Sequence, residues 1–162
     1  MQKLLRRDDG FTLVELMVVV LIIAILIAIA VPTFMGARTR SQNRAAQTDL
    51  RNALTAAKVY YSDKTTQDYA FNVADLLDVH ANLTFVPGNA PALGEVSFIT
   101  LSNTDGMANQ AVVFINLSAS GSTFCLLDEA SGSRAGAYHG FVDPPGTGAD
   151  LDTLAECVGG WK

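Results

Sequence analysis

Gly10-Phe11-Thr12-Leu13-Val14-Glu15-Leu16 divides the chain into a short charged leader and all that follows. The leader, MQKLLRRDDG, carries Lys3, Arg6 and Arg7. An apolar run starts at Phe11 and continues nearly unbroken to Ala37, with Glu15 as its one charge. Residues 16–37 are 22 positions without a charge. A helix rising about 1.5 Å per residue crosses the ~30 Å hydrocarbon core of a bilayer in that length. Basic residues ahead of such a run hold that end in the cytoplasm. A carboxylate inside a membrane helix is unfavourable by roughly 2–3 kcal/mol on insertion scales, and normally marks function.

Three readings fit a basic leader followed by an apolar run. In a secretory signal, Ala28-Ile29-Ala30 supplies a small-x-small cleavage motif and Val31 becomes the mature end. An uncleaved anchor would hold a folded domain outside the cell. Both leave Glu15 unexplained. In the third reading the run stays in the mature protein and Glu15 has work to do. GFTLVEL followed by about 20 apolar residues resembles the prepilin peptidase site of type IV pilins and pseudopilins. The resemblance continues through VPTFMGARTRSQNRAAQTDLRNALTAAKVYY.

That resemblance implies cleavage after Gly10 and N-methylation of the new terminus, Phe11. It implies subunit assembly through Glu15, whose carboxylate meets the Phe11 amine of a neighbouring subunit. Pro32 stands where such helices commonly kink. It has no amide proton and frees the carbonyl of Ala28. Many relatives carry a helix-breaking glycine upstream, where this chain has Ala24.

The rest of the chain is polar. Residues 38–162 hold eight Lys/Arg against thirteen Asp/Glu, so this body is acidic like the whole, which carries −5. Such a balance does not favour nucleic acid or anionic membranes as partners of the bulk protein. The mean hydropathy of +0.26 is set largely by the apolar run.

Past Arg38 the pattern turns amphipathic without stopping. Ala46, Leu50, Ala53, Leu54, Ala57 and Tyr61 recur at three- and four-residue steps, while Arg44, Arg51 and Lys58 mark another face. No Pro or Gly interrupts the chain between Ala37 and Asp63. One helix over residues 12–62, roughly 75 Å long, is therefore predicted, with its C-terminal half packed on a sheet. Its basic face reads as a solvated or inter-subunit surface and not as a nucleic-acid site, since no aromatics interleave with it, and no direct nucleic-acid binding is expected.

Asn72 is placed to cap a short helix ending near Val79. Pro87-Gly88-Asn89 and Pro91 read as turns. Strands are predicted at 95–101, 110–117 and 122–127 in an antiparallel meander, with a fourth at 135–142. Within the second, Ala111, Val113, Ile115 and Leu117 are expected to meet the helix, and Val112 and Phe114 to face away. Asp143-Pro144-Pro145-Gly146 opens the tail, and Trp161 is expected to fold back onto the sheet.

Cys125 and Cys157 form an even pair behind an export-type N-terminus, which reads as one disulfide, two buried thiols being the alternative. The loop they would close resembles the C-terminal disulfide-bounded region of many pilins.

Chemistry-bearing motifs are sparse. His80 and His139 stand alone, without metal-ligand spacing. Asp150, Asp152 and Glu156 cluster without an EF-hand pattern and read as a solvated tail. Asn82-Leu83-Thr84 and Asn116-Leu117-Ser118 match the glycosylation triplet, a weak signal. No catalytic constellation, metal site or cofactor is expected, and no enzyme.

The resemblance thus implies an α+β chain with the type IV pilin fold. A long N-terminal helix, half of it transmembrane, would pack on an antiparallel sheet of three or four strands. The parts would be a leader at 1–10, a membrane or filament-core helix at 11–37, and an extracellular head at 38–162. The implied function is a structural subunit, a major pilin, of an extracellular type IV pilus. A pseudopilin of a type II secretion system is the alternative, and a membrane-anchored or secreted binding domain that never polymerises a more distant one. Implied partners are copies of the same chain, the prepilin peptidase, and the assembly platform with its ATPase. The subunit would span the inner or cytoplasmic membrane once before assembly.

Overall fold

The structure is a computed structural model and describes residues 10–142, 157 and 159–161. Residues 1–9 of the leader, the Asp143–Gly146 turn and the Asp150/Asp152/Glu156 cluster lie outside the described residues. Helix α1 is Leu13–Asp63, close to the span expected from the uninterrupted pattern. The chain divides into two compact units, Met1–Arg38 and Thr39–Lys162.

In the first unit nothing among the described residues packs on α1. Its large apolar side chains are solvent-exposed from Leu13 to Met35, as a run that is apolar all round must be when nothing covers it. Pro32 lies within α1 without ending it, and the Thr33 hydroxyl donates to the Ile29 carbonyl at 3.2 Å.

The second unit is α+β. The remainder of α1 is followed by α2 (Val73–Val79) and five strands: β1 (Thr84–Pro87), β2 (Glu95–Leu101), β3 (Ala111–Leu117), β4 (Thr123–Glu129) and β5 (Gly136–Val142). They form one sheet in the order β1-β2-β3-β4-β5. Strands β2 to β5 are the antiparallel meander that their spacing predicted, with Phe98 opposite Phe114 and Phe114 opposite Leu126. Strand β1 corrects the expected count and the expected uniform direction. It adds a fifth, parallel strand on the edge, with Phe85 opposite Val96. Pro87 ends it, where an edge strand tolerates a missing amide proton. Asn72 caps α2 through a reciprocal capping box with Asp75.

The two faces of β3 are opposite to the sequence expectation. Val112 and Phe114 meet α1, joining Val96, Phe98, Phe124 and Leu126 against Leu50 and a row of alanines. Apart from Leu50, the buried apolar side chains of α1 here are small, Ala46, Ala53, Ala56 and Ala57, and aromatic rings fill the volume between helix and sheet. Phe71 stacks on Phe114 at 6.3 Å and tilts against Phe98 at 5.3 Å. Ala111, Val113 and Ile115 face away and form a second cluster with Cys125, Leu127 and Cys157. Both faces of β3 are apolar and buried, so alternation alone did not say which one the helix takes.

Polar groups stitch this core together. Asp128, on β4, is almost fully buried. Its carboxylate accepts from the Tyr69 hydroxyl and pairs with Lys58 Nζ of α1 at 2.9 Å. Burial, and then the hydrogen bond to Asp128, push the Tyr69 hydroxyl far above its ordinary pKa. Glu129 is buried as well. Its Oε1 accepts from the Thr104 amide at 2.6 Å and hydroxyl at 2.5 Å, while Oε2 has no hydrogen-bond partner among the described residues. Gly132 crosses beside it at φ +110°, and a Cβ there would stand 2.9 Å from both Asn103 Nδ2 and Asp105 Oδ2, so glycine is required.

Candidate functional site

The first unit begins with a local device. Thr12 precedes the first helical residue, and its hydroxyl accepts from the Glu15 amide at 3.2 Å. The Glu15 carboxylate reaches back to the Thr12 amide at 2.9 Å and hydroxyl at 2.8 Å. This is a capping box, which satisfies amide donors that the start of a helix leaves unpaired. The Thr-x-x-Glu spacing of Thr12 and Glu15 carried this signal, and the sequence reading passed over it in favour of pairing with the Phe11 amine. Phe11 itself is 91% exposed, next to Gly10.

Behind the box, α1 is long and apolar enough to cross a membrane. Glu15 is the single charge in this exposed surface, one helical turn from Phe11. Gly10, Phe11 and Glu15 therefore sit together at one end of an apolar rod.

The family described as the prokaryotic N-terminal methylation motif matches residues 5–31. The chain is 50% identical over 58 residues to the type IV major pilin protein PilA of Myxococcus xanthus, covering 36% of this chain and 26% of that protein. It is 35% identical over 86 residues to the type IV wide pilus major component PilA4 of Thermus thermophilus, covering 50% and 64%. It is 41% identical over 69 residues to the type II secretion system core protein G of Vibrio cholerae, covering 41% and 47%. The N-terminal segment thus carries the methylation motif and is similar to those of type IV pilins and of the type II secretion core protein G. The matches span less than two thirds of each of these three relatives. No solved structure matches the chain.

The second unit adds to this likeness. A long helix packed on a sheet, with a Cys125–Cys157 disulfide, is consistent with the type IV pilin fold. The bridge closes a separation of 32 residues and leaves no free cysteine. It ties the tail to β4, and Gly159 continues the attachment through a bridge to Gly140 on β5. Trp161 folds back as expected, its indole nitrogen donating to the Cys125 carbonyl at 3.1 Å.

The other sequence candidates are not brought together. His80 closes α2, while His139 lies on β5 against the Trp161 ring. Asn116 is buried in β3, which removes the second glycosylation triplet from the surface, whereas Asn82 is exposed. Among the described residues no group of three or more His, Cys, Asp or Glu side chains is placed to hold a metal.

Proposed function

We propose that the chain is a structural subunit, without enzymatic activity, of an extracellular type IV pilus, and that it is a major subunit. The observation that carries this reading is the exposed apolar half of α1 headed by Gly10, Phe11 and Glu15 at fixed spacing. Residues 11–37 hold the subunit in the inner or cytoplasmic membrane, with the head outside. A prepilin peptidase cuts after Gly10, and Phe11 is N-methylated. An assembly platform driven by an ATPase then moves the apolar rods from lipid into a bundle of their own kind. The change of surroundings is small, because one apolar environment replaces another.

Glu15 has two tasks in this scheme. Its bonds to Thr12 fix the first turn of the helix. Its charge answers the Phe11 amine of a subunit already in the filament and sets the axial register. The two tasks separate in one experiment. Glu15→Gln keeps an acceptor for Thr12 and removes the charge. Mass spectrometry should find this variant cut and methylated at Phe11, while surface filaments fall by at least about tenfold, as expected for loss of one partner of a desolvated charge pair. A normal filament yield from Glu15→Gln would sink the charge pairing. In the parent protein, a mature end at Val31 would return the segment to an ordinary secretory signal, and an intact leader to a simple anchor.

The secretion pseudopilin is the second reading, favoured by the similarity to core protein G of Vibrio cholerae. Deleting the gene separates the two: loss of surface filaments with protein secretion intact supports the pilus, and the reverse supports the pseudopilin.

A further inference from the structure

Sequence spacing leaves the basic face of α1 without aromatic company, but the structure supplies it. Arg40, Arg44, Gln47 and Arg51 follow one another at steps of four, three and four, and so share one face of the helix. Trp161, returning from the far end of the chain, lies beside them, as does His139 from β5. Together with Asn43 these side chains line a cleft of about 400 Å³ in the second unit.

The chemistry of that lining is one-sided. Among the described residues no Asp or Glu borders the cleft. Among the described residues no carboxylate pairs with Arg40, Arg44 or Arg51, the ion pair there being Lys58 with Asp128. The Arg51 guanidinium lies 4.8 Å from the centre of the Trp161 ring, which orients it while leaving its edge N–H groups free to donate. The Asn43 carbonyl oxygen already accepts from Ser118 and Ser120, so its amide N–H₂ remains to be used. The cleft is thus rich in donors and poor in acceptors.

We infer that this cleft binds the phosphate backbone of a nucleic acid strand. A sugar polymer offers many hydroxyl donors and needs acceptors that this lining lacks. A second copy of the chain would have to offer neighbouring anions, and the exposed carboxylates among the described residues stand mostly singly along the sequence. A phosphate strand offers acceptor oxygens at every unit. The guanidinium fork suits phosphate better than an ammonium does. Along the helix axis Arg40 and Arg44 are about 6 Å apart, and Arg44 and Arg51 about 10 Å, from the rise per residue. Consecutive charges on one strand can therefore be met in a row. The net charge of −5 opposes long-range attraction, so binding is confined to this cleft and is independent of sequence.

The test uses the full-length, unpolymerised chain in nonionic detergent, so it does not depend on filament assembly. Anisotropy of a short, labelled, mixed-sequence single strand is followed from about 50 to 200 mM salt. Three arginine contacts predict a slope of about −2 in log affinity against log salt. Arg44→Gln should weaken binding about tenfold at the low-salt end and flatten the slope by about 0.7. Trp161→Ala should weaken it too, and Trp161→Phe less, because phenylalanine keeps a ring under Arg51. Lys64→Gln, which removes a cation held over Tyr60 outside the cleft, should leave affinity within about twofold. Absence of binding at the lowest salt overturns the inference, as does an equal loss from Lys64→Gln and Arg44→Gln. Equal competition by a uronic acid polysaccharide reassigns the cleft to glycans. Self-association that is lost in Arg44→Gln, without nucleic acid binding, reassigns it to a subunit interface.

Discussion

Two stretches of the same helix have opposite relations to their surroundings. From Leu13 to Met35 α1 exposes its large apolar side chains, whereas Ala46, Leu50, Ala53, Ala56 and Ala57 are all but fully buried. The first stretch is apolar on every side and lacks partners among the described residues. The second is apolar on one face and has a sheet of its own. Hydrophobic character alone therefore does not make a core. The first stretch gains only from burial that surroundings outside the folded head supply, whereas the second is stabilised as soon as the head folds.

This contrast predicts that damage to the two stretches separates cleanly. The largest effect on the head should come from the covalent tie. Replacing Cys125 and Cys157 by serine should lower its unfolding free energy by about 3–4 kcal/mol for a loop of this length, read by denaturant titration in detergent micelles. Membrane insertion should be untouched.

Next comes a matched pair in α1. Leu50→Ala should destabilise the head by about 2–5 kcal/mol, since Leu50 is wholly buried. Leu26→Ala, at a position 61% exposed, should leave head stability unchanged. Equal losses from the two substitutions would break the comparison.

The smallest effect concerns pH. Tyr69 keeps its proton in the folded head to a higher pH than in the unfolded chain, where the phenol titrates near 10. The folded state thus binds more protons above that point, and stability declines as pH rises past about 10. Tyr69→Phe should lower stability by about 1–2 kcal/mol at neutral pH, because Asp128 loses one of its two partners, and should flatten the alkaline decline. An unchanged alkaline decline in that variant would show that the proton is held elsewhere.

Much of this architecture was legible before any coordinates. The uninterrupted helix, the capped α2 and the meander followed from periodicity, from strand spacing and from the placement of Asn72. Strand β1 was not legible. It is four residues long, it ends in Pro87, and it pairs in parallel with a strand only a short connection away, where parallel pairs usually need a long crossover. The orientation of β3 escaped because Val113 and Phe114 are equally buried. In the N-terminal segment, Gly10, Phe11 and Glu15 were recognisable as a unit, but the bond from Glu15 to Thr12 was overlooked because one functional explanation of the carboxylate already sufficed. The arginine cleft was half legible. Its cations lie on one helix, but its aromatic member comes from the other end of the chain, and only folding joins them.

The attachment of the tail to β4 has a mechanical consequence. Lys58 grips Asp128 and Arg51 lies over Trp161, so the helix is coupled twice to the strand that holds Cys125. Tension applied along α1 is passed to β4, which is hydrogen-bonded to β3 on one side and β5 on the other. Beyond β4 the polypeptide loops back to a covalent knot at Cys157, so the slack that can be drawn out of that side of the head is limited. A head made this way resists elongation through an inner strand, and its tail is fastened to that same strand.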